Sequence, residues 1–318
     1  MQRKKTKISW VIVFASFVFI TVIGLISFSF SMTKNILNRS SEFTSPEPLE
    51  ELQFNPPSID GLDPNDPMTE LIVYGEELFS ESNTVMPEYI GNELSCASCH
   101  ADGGAAQQNS MVGVTPNFPE FNKRAGTMFT IEDRINGCMV RSMNGKVLEE
   151  DGEEMRAMVA YLDFLSEGIE EGEEIPWRNP SEMSEIPEPD IVHGEKLYET
   201  KSCMSCHAID GSGTGATTGP AVWGDQSFND GAGMARLTKA AGYIQENMPI
   251  GQENTLTDQE AADLAAYILS QDRPEFDGHE NDWPDGRPTD IMDRERVEQI
   301  QNDTFDWTEI ENVISKNK

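Results

Sequence analysis

Cys96-Ala97-Ser98-Cys99-His100 decides how the rest of the chain is read. At this spacing two thiols reach the two vinyl groups of one haem, and the histidine that follows can turn its imidazole onto the iron; Cys-x-x-Cys-His is the pattern of c-type haem attachment. A redox Cys-x-x-Cys or half of a zinc site would use the same cysteines. The pattern returns, however, as Cys203-Met204-Ser205-Cys206-His207, and the two copies take four of the five cysteines and two of the four histidines. Neither copy has a second Cys pair or His cluster nearby in sequence to close a tetrahedral zinc site. The sequence therefore reads as carrying two covalently bound haem c groups, one on Cys96, Cys99 and His100, the other on Cys203, Cys206 and His207.

The 318 residues give room for two domains of ordinary size plus extensions. A formal net charge of −33, from 23 basic and 56 acidic residues, repels nucleic acid and anionic lipid heads, so neither is expected as a partner. It suits a basic electron partner, or simply solubility in a salty medium. The first residues are different in kind. A basic flank (1–7, with Arg3, Lys4, Lys5 and Lys7) precedes an apolar run over 8–30. At roughly 1.5 Å per helical residue such a run can cross a hydrocarbon core of about 30 Å. Its basic flank would stay in the cytoplasm. The expectation is a single-pass anchor in the cell membrane, with the haem domains on the extracytoplasmic side; a cleaved signal peptide would give the same compartment.

Residues 31–67 are rich in Ser, Pro and Glu and read as a stalk. Beyond them the chain repeats itself. Helical spacing over 68–79, with Gly75 four residues ahead of Phe79, precedes the first haem motif; 191–198, with Gly194 four ahead of Tyr198, precedes the second. After each motif come a Gly-rich loop and an amphipathic helix, at 154–165 with Tyr161 and at 258–269 with Tyr267. This arrangement resembles the class I cytochrome c fold, in which the first and last helices cross and a small residue permits their close approach. The expected fold is mainly α: two class I cytochrome c domains in tandem, 68–170 and 188–272, each with one covalent haem, behind an N-terminal transmembrane helix. An acidic linker (171–187) joins them, and a strap and tail (273–318) ends in a short polar helix around 291–301.

The second axial ligand largely decides what a haem does. In the second domain Met248, in Glu246-Asn247-Met248-Pro249, lies where a distal methionine is usual, and a His/Met haem suits electron transfer. The first domain has no equivalent of Asn-Met-Pro. At the corresponding distance stands Ile135-Asn136-Gly137-Cys138-Met139. The odd thiol, Cys138, could be the ligand or a buried small hydrophobe, and Met139 or Met143 could ligate instead. Between Phe121 and Val147 five basic residues (Lys123, Arg124, Arg134, Arg141, Lys146) face two acidic ones, a local excess inside an acidic chain. Arginines around a thiol can bind an oxyanion and hold the thiolate ionised; one or two could equally pair with haem propionates.

The runs Tyr89-Ile90-Gly91-Asn92-Glu93-Leu94-Ser95-Cys96, 134–145 and 223–234 resemble the dihaem thiosulfate dehydrogenases, cytochromes that interconvert thiosulfate and tetrathionate. The resemblance covers about residues 68–290. It implies that Cys138 ligates the first haem opposite His100 and reacts with substrate, that Arg124 and Arg134 flank the substrate, and that the second haem takes His207 and Met248. Some members carry a lysine before this methionine; here it is Asn247, so a redox-linked ligand swap is not implied. The implied reaction couples two thiosulfates into tetrathionate, or runs in reverse as a tetrathionate reductase. Its electrons would pass through the second haem to a small cytochrome c or a quinone-linked carrier. The main rival reading is a membrane-anchored dihaem electron carrier with no substrate of its own, with Met139 or Met143 on the first iron. His193 and His279 read as packing or surface histidines.

Overall fold

The computed structural model describes residues 52–178 and 181–315. The apolar run expected to anchor the chain lies outside them. Among the described residues no helix is long and apolar enough to cross a membrane.

In the first half, α1 (Pro67–Ser80) starts where the Asp66 side chain accepts from the Met68 N–H at 2.9 Å and Pro67 occupies the first helical turn. A short α2 (Ser82–Val85) leads to the first haem motif. A small hairpin of β1 (Glu120–Asn122) and antiparallel β2 (Thr127–Phe129) precedes α3 (Ile131–Arg141), whose capping box joins Thr130 and Asp133. Helix α4 (Glu153–Phe164) closes the domain. In the second half, β3 (Ile186–Pro187) is followed by α5 (Ile191–Thr200), a single turn α6 (Met204–His207), α7 (Leu237–Asn247) and α8 (Asp258–Leu269), the last begun by a Thr257–Glu260 capping box.

The expected crossing of first and last helices is present twice. A Cβ on Gly75 would lie 2.0 Å from the Ala157 carbonyl oxygen and 2.7 Å from Tyr161 Cβ; one on Gly194 would lie 2.1 Å from the Asp263 carbonyl oxygen and 2.8 Å from Tyr267 Cβ. Only a hydrogen fits at either position. Around the crossings Leu78, Ala157 and Leu162 in one domain, and Leu197, Ala265 and Leu269 in the other, are buried. Each large aliphatic side chain so covered stabilises the fold by about 1.5–3 kcal/mol.

The linker and tail are packed against both domains. Trp177 donates its indole N–H to the Val112 carbonyl at 3.0 Å and meets the Phe54 ring edge-on at 5.2 Å. The Ser181–Glu182 backbone fits against Gly242 of α7. In the tail, Ile291 bridges to Arg236 and the Met292 N–H donates to the Ala235 carbonyl at 2.8 Å. The terminal helix, α9 (Arg294–Gln301), therefore starts three residues later than its apolar spacing suggests: Ile291 and Met292 are buried against the second domain, and Asp293 supplies the cap. Finally β4 (Val313–Ile314) pairs in parallel with β3.

Candidate active site

Helix α3 brings Cys138 to a cavity that Cys96, Cys99 and His100 also line. Its volume, about 220 Å³, greatly exceeds the roughly 10–15 Å³ that one water needs. Native interiors leave few voids larger than a water. The lining includes Phe79, Met111, Val114, Met158 and Leu162, so the space suits a large apolar group carrying two thiol attachment points. None of the five cysteines is in a disulfide. Burial pushes the Cys96 thiol up to about 12 and that of Cys99 up to about 11. His100 Nδ1 lies 2.8 Å from the Asn109 carbonyl oxygen, an acceptor that assigns the proton to Nδ1 and leaves Nε2 as the free lone pair. Burial, helped by the nearby Arg134 and Arg178 charges, pushes its pKa down to about 4, so the imidazole is neutral, as a metal ligand must be. These residues fit a haem.

The second motif repeats the setting of the histidine. His207 Nδ1 lies 2.8 Å from the Pro220 carbonyl oxygen, and burial again holds the ring below its ordinary pKa. Thr214 Oγ1 donates to the Cys206 carbonyl at 2.9 Å. Met248 stands at the C-terminal cap of α7, half-buried against the core.

The two halves differ in the helix that follows the haem motif. In the first, Arg134 sits one turn before Cys138 on α3, and its Nη1 lies 3.0 Å from the Cys138 sulfur. Attraction to Cys138 holds the guanidinium above its ordinary pKa, against the opposing effect of burial. Met139 and Met143 line the same cavity, both almost fully buried.

The C-terminal end of α3 is finished by residues distant in sequence. The Val140 carbonyl accepts from Asn229 Nδ2 at 2.9 Å, the Arg141 carbonyl from the Asn229 N–H at 3.3 Å, and the Ser142 carbonyl from Asn92 Nδ2 at 2.9 Å. Asn92 also donates to the Ser227 carbonyl at 3.0 Å. A helix end leaves four carbonyls without intrahelical partners. Here the second domain supplies partners for the helix that carries Cys138.

Arg124 is placed at the seam between domains. It donates to the Gly231 carbonyl, lies 3.9 Å from Asp282 Oδ2, and stacks over Trp283 at 5.1 Å. Burial lowers its pKa to about 10. Arg141 pairs with the same Asp282 at 2.7 Å and covers the Phe276 ring. Thus Arg134 shares the cavity with Cys138, whereas Arg124 and Arg141 are gathered by the C-terminal strap. The exposed Lys123 and Lys146 are not part of the cavity lining. His193 and His279 bind carboxylates, Asp263 and Asp230, each at 2.7 Å.

Residues 75–170 match the family described as SoxA/TsdA, cytochrome c domain, and 191–272 match Cytochrome c. The thiosulfate dehydrogenase of Allochromatium vinosum is 39% identical over 222 residues, covering 67% of this chain and 82% of that protein. That of Psychrobacter arcticus is 38% identical, covering 72% and 71%. Among solved structures, thiosulfate dehydrogenase (TsdBA) from Marichromatium purpuratum matches with a TM-score of 0.66 at 34% identity, over 71% of this chain and 51% of that one. The chain thus spans about half the length of that solved relative. It belongs to the thiosulfate dehydrogenase family.

Among the cavity residues that the sequence pattern did not single out are Trp177 and Arg178. Both lie between the two family matches, in the stretch read as an acidic spacer. A signal was present: Arg178 is the only basic residue between 167 and 190 and follows an aromatic residue.

Proposed function

We propose that this protein is a thiosulfate dehydrogenase that joins two thiosulfates into tetrathionate at Cys138. In this reading it carries two covalent haem c groups, ligated by His100 and Cys138 and by His207 and Met248. A haem bound at the first site would supply a one-electron acceptor beside the sulfur.

The chemistry asked of the residues is an exchange at sulfur. Cys138 thiolate and the sulfane sulfur of one thiosulfate form an S–S bond, and two electrons leave. A second thiosulfate then attacks the sulfane sulfur of this adduct. The new S–S bond completes tetrathionate, and Cys138 departs as the thiolate. Each step brings the thiosulfate dianion up to another anion, first the thiolate and then the singly charged adduct, so positive charge held beside the reacting sulfur offsets their repulsion. Arg134 is in contact with that sulfur, and Arg124 adds charge from the domain seam. Run backwards, the same exchange reduces tetrathionate. The electrons would leave through the second domain to an external carrier, a small cytochrome c or a quinone-linked protein. The apolar run over 8–30 supports a membrane anchor that holds both domains outside the cytoplasm.

The observation that carries this reading is the 3.0 Å contact between Arg134 and Cys138, inside a cavity shared with a Cys-x-x-Cys-His motif. A pure electron carrier has no use for a cation fixed on an accessible thiol. The test compares the haem-loaded protein with Cys138→Ala for thiosulfate-dependent reduction of an artificial acceptor. The expected outcome is loss of turnover in the variant with both haems still attached. Full activity in the variant, or none in the wild type in either direction, overturns the proposal.

A further inference from the structure

Arg178 comes from neither cytochrome domain, yet it lines the cavity that holds Cys138, Arg134 and His100. Trp177 seats the linker at this point through its bond to Val112 and its contact with Phe54. The guanidinium that follows has little to hold it. Its Nη1 lies 3.4 and 3.5 Å from the Gly113 and Val114 carbonyl oxygens, at the weak limit of hydrogen bonding. Five N–H donors are available on such a fork. Among the described residues it forms no ion pair. Glu120 lines the same cavity and attracts it, while Arg134 repels it.

Burial and the nearby Arg134 charge both disfavour the Arg178 guanidinium, and Glu120 offsets them only in part. An anion entering the cavity would relieve that repulsion and use the free donors. Arg is the side chain suited to a forked grip on carboxylate or sulfonate oxygens.

We propose that Arg178 is an oxyanion-binding residue of the first site, so that the interdomain linker completes that site. The oxyanion has two possible sources of the same chemistry: a carboxylate of the bound haem, or the sulfonate end of thiosulfate. The second source rests on the function proposed above; the first does not.

The experiment uses the full-length haem-loaded protein with Arg178→Gln and Arg178→Lys. It reads the midpoint potential of the first haem by optical redox titration without thiosulfate, and kcat and KM for thiosulfate separately. If the haem carboxylate is the partner, the potential falls in the Gln variant, because a cation near the iron is lost. Lys, which keeps the charge, restores it, and KM stays within about twofold. If sulfonate is the partner, KM rises about tenfold or more with kcat largely kept, and the potential does not move. Lys then restores only part of the KM, because it lacks the fork. Neither quantity moving in a folded variant overturns the proposal. A wild type inactive on thiosulfate would sink the function proposed above, while the potential would still decide the role of Arg178. Should both variants fail to load haem, Trp177→Phe keeps the arginine and removes the indole donor that seats it. The same quantity then shifts in the same direction but less, and no shift counts against the proposal.

Discussion

In the first domain Gly75 lies under Ala157 and Tyr161; in the second Gly194 lies under Asp263 and Tyr267. His100 is steered by the Asn109 carbonyl and His207 by that of Pro220, both at 2.8 Å. On this side the two domains are one design used twice. On the other side they part. The first brings up a helix with a basic residue and a thiol one turn apart, and the second ends a helix on Met248 before Pro249. The attachment half of such a domain is constrained by a large covalent group and has little freedom to vary. The opposite half is free to vary, and in the function proposed above that is where reaction and relay become different tasks. The difference also reaches beyond single residues, because the side of the first domain that carries Cys138 is completed by the linker, the strap and the second domain.

The comparison can be broken most sharply by making the first site resemble the second. Cys138→Met should reduce thiosulfate turnover by roughly 10³-fold or more, since the nucleophile is gone. The optical spectrum of the first haem should move toward that of the second. Retained turnover would mean that the thiol is not the point of difference.

The shared side is tested by Gly75→Ala and Gly194→Ala. Each methyl would meet a backbone carbonyl of the opposing helix, and each should lower stability by about 3 kcal/mol in denaturant unfolding. Similar losses sharpen the equivalence of the domains; a loss in only one shows that the crossings are not matched.

The smallest effect is expected from Asn229→Ala. Removing the amide leaves the Val140 carbonyl without its cross-domain donor and should cost about 1–2 kcal/mol. Faster hydrogen exchange should appear in α3, with α8 unchanged. An even change across both domains would mean that this asparagine has no particular bearing on the helix of Cys138.

Much of this architecture is legible in the chain because it is local. The helices observed at 67–80, 153–164, 191–200 and 258–269 lie within two residues of where periodicity puts them. The two Cys-x-x-Cys-His motifs are likewise a matter of spacing. What was not legible depends on contacts between distant residues. Arg178 sits in an acidic, Pro-containing segment, and a lone basic residue after Trp177 is the one local sign that this stretch is a wall of the cavity and not a spacer. The start of α9 depended on Ile291 and Met292 packing against Ala235 and Arg236, a pairing that no periodicity announces. The local excess of arginines was visible, but not its division: Asp282, far along the tail, draws Arg141 and Arg124 to the seam and leaves Arg134 with the thiol.

Asn229 lies 89 residues downstream of the Val140 carbonyl it satisfies. At synthesis rates of about 5–20 residues per second, the first domain is complete on the order of ten seconds before that partner emerges. The order of the gene thus sets an order of assembly: the attachment side of the first domain can settle early, and the helix bearing the thiol is fixed late. A thiol whose helix is capped only when the second half of the molecule has arrived is not left on an unfinished scaffold.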